Sequence, residues 1–268
     1  MKKIALLVGV ALIASATTAQ TKFQKVDKGD FIEITQQGGR TLGYSEMSGV
    51  KILTVDGFAF KDLNRNGKLD KYEDWRLSSE ERAKDLASQL SLEEIAGLML
   101  YSSSQMLPTP DVRAKHGTYR GKPFSKSYAS PSDLTDQQLK FLIEDKVRHI
   151  LISKVKSPYI SAQWNNKVQA LCEGLDHGIP ANNSSDPRHG VIADEEFAAG
   201  VGGRISAWPG TLGLAATFDP SLVLRFGEVA STEYRALGIA TALSPQIDLA
   251  TEPRWRRAMM TFGEARSS

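Results

Sequence analysis

Two charged residues stand just after predicted strands in the last third of the chain, where their side chains could hold a polar ligand. Asp186 follows the strand pattern of residues 179–185, and Arg257 lies in an arginine-rich turn after the strand pattern of residues 240–244. An ionised aspartate accepts hydrogen bonds from hydroxyls, and a guanidinium donates to others, which suits the edge of a pyranose ring. The spacing alone leaves a second interpretation open, in which Asp186 closes a turn with Arg188 and the arginines cover the end of the domain.

Residues 62–73 have the spacing of a calcium-binding loop of the EF-hand type. Oxygen-bearing side chains stand at the first, third, fifth and ninth positions, a glycine at the sixth and a glutamate at the twelfth. A short loop can place roughly six or seven oxygens around a calcium ion only where its sixth residue accepts a positive φ. The predicted ligands are Asp62, Asn64, Asn66, Lys68 (at the position that binds through its backbone carbonyl), Asp70 and Glu73.

Local charge argues against tight calcium binding in this loop. Two ligand positions are Asn, and Arg65, Lys68 and Lys71 add positive charge. The alternative is a turn held only by hydrogen bonds. If calcium binds, we expect a structural ion that joins the N-terminal strands to the first helices. No organic cofactor is predicted.

Helix-capping patterns and hydrophobic periodicity predict the elements that position these residues. Alternating side chains predict short strands over residues 21–60. Ser78, Ser91 and Thr135 are each followed three residues later by Glu or Gln, which is the capping-box pattern of a helix start. Residues 102–132 are rich in Ser, Pro, Lys and Gly and predict a long loop, either an active-site lid or a surface insertion.

Strands and helices alternate in the second half of the chain. The pattern predicts strand, helix, strand, helix and strand over residues 149–153, 160–175, 179–185, 221–237 and 240–244. Such alternation implies parallel strands and an α/β fold, either a (β/α)8 TIM-like barrel or a doubly wound sheet. In a barrel, residues beyond the carboxyl ends of the strands face the active site, which would put Asp186 and Arg257 at one rim.

The first nineteen residues have the pattern of a secretory signal peptide. Lys2 and Lys3 precede an apolar run, residues 4–13, and small residues lead to a cleavage site near Ala19. Of the 33 basic and 31 acidic residues, 31 and 31 remain after these two lysines are removed, so nothing draws the chain to nucleic acid or anionic lipid. We expect an exported protein, periplasmic or extracellular, without a nucleic-acid or membrane partner after cleavage; its oligomeric state is left open.

Several ordered motifs resemble the N-terminal barrel domain of glycoside hydrolase family 3, a β-glucosidase family. Residues 91–99 resemble the family's first helix, and residues 164–180 resemble the helix and strand that lead to its sugar-binding Asp. Residues 207–219 are similar to its Phe-Pro-containing segment, and Pro253-Arg-Trp-Arg-Arg257 is similar to its Pro-Arg-Trp-Gly-Arg signature. The resemblance covers most of residues 84–264.

The resemblance implies a partial (β/α)8 TIM-like barrel with an N-terminal extension of strands and an EF-type loop. Residues 1–19 would be the signal peptide, 20–83 the extension and 84–268 an incomplete barrel domain. It implies a retaining glycosidase that releases terminal β-linked glucose from oligosaccharides, with Asp186 and Arg257 binding the terminal sugar. β-Xylosidase and β-N-acetylhexosaminidase are alternatives within the family. A non-catalytic, calcium-stabilised saccharide-binding module is the alternative from another class.

The chain also departs from the family pattern. Arg256 replaces the signature glycine, Met260 replaces a glutamate found in many members, and residues 265–268 replace an expected Asp-Pro continuation. In the family, the nucleophile and the acid/base carboxylate follow the arginine signature, and no residue of this chain corresponds to them. The resemblance therefore implies no catalytic residue here, and we expect the 268-residue polypeptide alone to be inactive.

Overall fold

The computed structural model describes residues 21–102, 117–152, 157–185, 205–243 and 247–263. The predicted signal peptide, Asp186 and the middle of the long predicted loop lie outside these residues. Within the described ranges, no helix combines the length and the apolar character needed to cross a bilayer.

The N-terminal extension consists of short antiparallel strands, as the alternating pattern predicts. These are β1 (Phe23–Asp27), β2 (Ile32–Gln36), β3 (Leu42–Tyr44), β4 (Lys51–Val55) and β5 (Phe58–Asp62). β1, β2 and β3 form one sheet in that order, and β4 and β5 form a hairpin. The hairpin turns at Asp56 and Gly57, whose φ angles of 55° and 84° are both positive, as a tight two-residue turn requires. Ile34, Tyr44 and Ala59 form a small core that joins the sheet to the hairpin.

All three predicted capping boxes are present. The helices are α1 (Ser79–Ala87), α2 (Leu92–Leu98) and α3 (Asp136–Ile143). Ser78, Ser91 and Thr135 each accept a hydrogen bond from the backbone amide three residues on, and that residue's side chain accepts one from the cap amide. Between α2 and α3, a short strand and a small hairpin interrupt the long predicted loop: β6 (Tyr101–Ser102), β7 (Thr118–Tyr119) and β8 (Lys122–Pro123).

A parallel sheet forms the second half of the fold. Its remaining strands and the helices around them are β9 (His149–Leu151), α4 (Pro158–Glu173), β10 (Asn182–Ser185), α5 (Thr211–Ala215), α6 (Pro220–Ala236) and β11 (Thr241–Ala242). The strands lie in the order β6, β9, β10, β11, and each neighbouring pair is parallel. The α/β prediction is confirmed. Over the described residues the sheet stays open at β6 and β11, so the closed TIM-like arrangement is not confirmed.

One core joins this sheet to the helices. Trp164, Val168 and Cys172 recur at helical spacing along α4 and pack with Ile150 of β9 and Tyr234 of α6. The Cys172 thiol is fully buried, and burial raises its pKa.

A buried carboxylate connects the extension to α4. Glu173 accepts a hydrogen bond from the Ser45 backbone amide at 2.9 Å and from the Lys61 ammonium at 2.6 Å. Both contacts join residues more than a hundred positions apart in the chain. The extension is therefore packed against the parallel-sheet part of the protein.

Candidate functional site

The two faces of the parallel sheet differ in chemistry. Ile150 and Ile152 point to the core formed with the helices. Because side chains alternate along a strand, their neighbours point to the opposite face. There, the Asn182 side chain lies 3.1 Å from His149 Nδ1 and accepts a hydrogen bond from the Thr241 hydroxyl at 2.7 Å. The face away from the core thus carries a hydrogen-bonded polar group, with Leu151 beside it.

Tyr101 extends this polar face to the edge strand β6. Its hydroxyl lies 2.9 Å from Ser184 Oγ, and Ser184 Oγ itself donates to the Ile150 carbonyl at 2.9 Å. The tyrosine hydroxyl is therefore the donor in the contact with Ser184. Sequence reasoning missed this residue, because a two-residue strand carries no periodic signal.

β10 is polar although it lies between two other strands, where parallel sheets are usually apolar. Asn183, Ser184 and Ser185 are each at most 1% exposed. The Ser185 hydroxyl donates to the Ile152 carbonyl at 2.7 Å, and the Asn183 amide donates to the Asn165 side chain on α4. These bonds hold the carboxyl end of β10 in a fixed position between its neighbours.

Of the two predicted sugar-binding residues, only Arg257 lies among the described residues. Arg257 is exposed and immediately precedes a short 3-10 turn, Ala258–Met260. Its carbonyl accepts a hydrogen bond from the Met260 amide at 2.9 Å. Asp186 is the residue after β10 in the sequence and lies outside the described residues. The meeting of the two side chains at one rim stays a prediction.

Two further acidic residues near these segments have structural partners. Glu233 on α6 accepts hydrogen bonds from the Ser206 amide at 2.9 Å and from its hydroxyl at 2.8 Å, which fixes the segment before α5. Glu252 forms an exposed ion pair with Arg254 at 2.8 Å, and this guanidinium lowers the pKa of Glu252 to about 2.

A cavity of about 510 Å³ lies between the N-terminal extension and α4. Its lining includes Tyr44, Lys61, Trp75, Gln169 and Pro180. Gln169 and Pro180 precede β10, so the cavity is at the amino end of that strand. Active sites of parallel α/β folds form at the carboxyl ends of the strands, and we therefore do not assign this cavity to the sugar site.

The calcium-type loop connects β5 to α1. Asp62 and Glu73 are buried, and Asn66 and Lys68 are exposed. Burial raises the pKa of the Glu73 carboxyl, while backbone amides from Asp70 and Leu63 oppose that shift. Across the described ranges, no group of three or more His, Cys, Asp or Glu side chains is arranged to hold a metal ion.

The structure is an α/β fold with a polar strand end at the carboxyl edge of its parallel sheet, the edge at which such folds bind ligands. Comparison with known proteins gives the family. Residues 129–268, just over half of the chain, match the Glycosyl hydrolase family 3 N terminal domain. The chain belongs to glycosyl hydrolase family 3.

Three relatives show how much of a longer protein the chain corresponds to. It is 44% identical over 218 residues to Periplasmic beta-glucosidase/beta-xylosidase of Dickeya chrysanthemi. The aligned region covers 81% of this chain and 31% of the relative. It is 35% identical over 207 residues to Beta-glucosidase C of Emericella nidulans, with coverages of 76% and 30%. It is 34% identical over 203 residues to Probable beta-glucosidase C of Aspergillus oryzae, with coverages of 75% and 29%. The chain spans about a third of the length of these relatives.

Proposed function

We propose that this chain is the N-terminal part of an exported retaining glycoside hydrolase that releases terminal β-linked glucose from oligosaccharides. Family membership supports the reaction class. The names of the relatives, each of which includes a β-glucosidase, support the sugar, and the periplasmic Dickeya protein supports export. β-Xylosidase is the second candidate, because the name of that relative includes it.

The observation that carries the proposal is the position of β10 in the parallel sheet. β10 lies between β9 and β11 and ends at Ser185, so Asp186 is the next residue beyond the carboxyl end of an interior strand. Residues at such positions face the ligand in (β/α)8 enzymes. The polar face around Asn182 and Ser184 corresponds, in this proposal, to the inner face of the barrel.

Asp186 and Arg257 have complementary roles in the proposed site. The Asp186 carboxylate accepts hydrogen bonds from hydroxyls of the terminal sugar, and the Arg257 guanidinium donates to others. Together they would fix the orientation of the ring before the bond to the leaving group is broken. Both are binding residues, since neither acts on the anomeric carbon in this proposal.

The chemical step needs two further carboxyl groups. In a retaining glycosidase one carboxylate attacks the anomeric carbon and the other protonates the leaving oxygen, with a separation of roughly 5–5.5 Å. We assign neither role within these 268 residues. Because the chain spans about a third of its relatives, we propose that a longer protein supplies both groups.

An activity assay tests whether the catalytic carboxyl groups come from a longer protein rather than from these 268 residues. The purified 268-residue chain is expected to release no measurable nitrophenol from a nitrophenyl β-glucoside, because we assign neither catalytic carboxyl group within it. A longer protein that contains this chain is expected to act on the glucoside with a higher kcat/KM than on the matching xyloside or N-acetylglucosaminide. Release of nitrophenol by the 268-residue chain would contradict the proposal that a longer protein supplies both catalytic groups. A higher kcat/KM for the xyloside would favour β-xylosidase as the activity.

Sugar binding tests the two assigned residues directly. Asp186→Ala and Arg257→Ala are each expected to weaken glucose binding by about 10–100-fold, because each removes hydrogen bonds to a charged group that contribute about 1.5–3 kcal/mol. Isothermal calorimetry with glucose and cellobiose measures the change. Arg256→Ala is the matched control, since Arg256 is the exposed neighbour with the same charge. Equal losses for Arg256→Ala and Arg257→Ala would contradict the assignment.

A further inference from the structure

Asp62, the last residue of β5, has a buried carboxylate oxygen to which no described residue donates a hydrogen bond. The residue is 1% exposed. Its Oδ2 accepts a hydrogen bond from the Gly67 amide at 3.1 Å, so the carboxylate is directed into the loop of residues 62–73. Its Oδ1 has no hydrogen-bond partner among the residues that the structure describes. An anionic oxygen in that situation is costly unless a cation meets it. We propose that the loop of residues 62–73 binds a calcium ion at this oxygen.

The loop backbone is shaped to surround an ion next to Asp62. Gly67 has a φ of 75°, which allows the chain to reverse direction at the sixth position. The side-chain oxygens of Asn64 and Asn66 accept the amides of residues 66 and 68 at 3.1 and 2.8 Å, so both side chains fold back over the loop. Glu73, which is 4% exposed, closes the far end. Its carboxylate accepts the Leu63 and Asp70 amides.

The other predicted ligands are joined by hydrogen bonds that an ion would replace. The side-chain amides of Asn64 and Asn66 donate to Asp70 Oδ2 at 2.6 and 2.7 Å. Rotation of each Asn amide about its terminal bond exchanges its nitrogen and oxygen, which gives up both the bonds to Asp70 and the bonds from the amides of residues 66 and 68. The same three side chains would then present oxygens to the cation.

The chemistry of these ligands selects calcium over transition metals. The site would contain carboxylate, amide and backbone carbonyl oxygens, with Lys68 contributing its carbonyl. Calcium accepts six or more such oxygens in flexible geometry, whereas zinc favours nitrogen and sulfur ligands in a tetrahedral site. The three carboxylates of the loop, Asp62, Asp70 and Glu73, are not gathered into a metal-holding group in the described residues, because Asp70 and Glu73 accept hydrogen bonds within the loop. Calcium binding therefore requires these side chains to turn toward the ion.

The positive residues of the loop lower the affinity without blocking the site. The Arg65 guanidinium donates to the Ser48 and Gly174 carbonyls and is therefore engaged away from the loop. Lys68 and Lys71 are exposed, where solvent screens their charge. We expect a dissociation constant of about 10⁻⁴–10⁻³ M, as in extracellular calcium modules.

The loop lies where the N-terminal extension meets the segment between α4 and β10. A Cβ atom at Gly178 would come within 2.7 Å of the Leu63 side chain, and the Tyr72 and His177 rings are 6.2 Å apart. Together with the Arg65 contacts, these place the proposed ion beside the connection that leads into β10. Calcium would thus strengthen the attachment of the extension to the parallel sheet.

Calorimetry with calcium chloride and thermal unfolding of the 268-residue chain test the proposal. The unaltered chain is expected to bind one calcium ion, and a hundredfold excess over the dissociation constant should raise Tm by about 5–10 °C relative to EDTA. Magnesium at the same concentration should have a smaller effect, because it demands a tighter octahedral shell. An absence of binding heat would overturn the proposal in favour of a turn held only by hydrogen bonds, as would an unchanged Tm.

Variants locate the site. Asp62→Asn keeps the shape of the side chain and is expected to raise the calcium dissociation constant at least about tenfold, because it removes the charge that meets the ion. Glu46→Gln removes the same charge at an exposed position outside the loop and should leave the calcium dissociation constant unchanged. If Asp62→Asn does not fold, Asp70→Asn tests the same site at a partly exposed position. Equal affinities in the loop variant and in Glu46→Gln would overturn the assignment.

Discussion

Trp164→Ala is expected to lower the free energy of unfolding by about 3–5 kcal/mol. Trp164 is 1% exposed and belongs to the core shared by α3, α4, α6 and the parallel sheet. Its indole nitrogen donates to the Gln138 side chain at 3.3 Å, and the same Gln138 oxygen accepts the Thr135 amide in the capping box of α3. The substitution removes core packing and a hydrogen bond between two helices at once.

Urea unfolding followed by far-ultraviolet circular dichroism measures this change. Trp164→Phe retains much of the packing and loses the indole donor, so we expect a smaller loss of about 1–2 kcal/mol. Tyr159→Ala is the control on the same helix, because Tyr159 is 68% exposed, and its effect should stay within about 0.5 kcal/mol. A loss below about 1 kcal/mol for Trp164→Ala would contradict the central place of this residue in the core.

Helix starts could be predicted from the sequence because their signals are local. Ser78, Ser91 and Thr135 each carry their capping partner three residues away, and all three boxes form. Helix ends carry no comparable local signal, as at Ala87, where the first helix ends. A helix end depends on what the following residues contact, which local spacing does not contain.

Strand pairing depends on distant residues, and the sequence predicted it only in part. The strand predicted over residues 179–185 begins at Asn182, because the Ile179 carbonyl accepts a hydrogen bond from the Arg148 side chain instead of joining the sheet. Tyr101 joins the sheet by pairing with His149, far along the chain. Two residues of strand are too few to show a period.

The candidate sites, like the helices and strands, could be predicted only where the signal lies within a short stretch of sequence. The types and spacing of residues 62–73 predicted a cation loop, which stays a prediction, whereas the buried oxygen of Asp62 without a partner among the described residues became visible only in the structure. The engagement of Arg65 by the Gly174 carbonyl could not be predicted, because it joins residues 109 positions apart. Asp186 and Arg257 rest on sequence order and family resemblance, since only Arg257 lies among the described residues.

Arg148→Met is expected to lower the free energy of unfolding by about 3 kcal/mol, because it leaves buried carbonyl groups without their donor. Arg148 is 5% exposed and directly precedes β9. Its Nη1 donates to the Leu142 and Val147 carbonyls at 2.8 and 3.0 Å, and its Nε donates to the Ile179 carbonyl at 3.0 Å. One side chain therefore connects the end of α3, the start of β9 and the segment that leads into β10.

Arg148→Lys separates the geometry of the guanidinium from its charge. A lysine keeps the positive charge but lacks the planar fork that reaches all three carbonyls, so we expect a loss between those of Arg148→Met and the unaltered chain. Arg225→Met, at an exposed position on α6, should stay within about 0.5 kcal/mol of the unaltered chain. Urea unfolding of the three variants measures these changes in the free energy of unfolding. If Arg148→Met unfolds at the same urea concentration as Arg225→Met, the buried guanidinium does not hold the amino ends of β9 and β10 together.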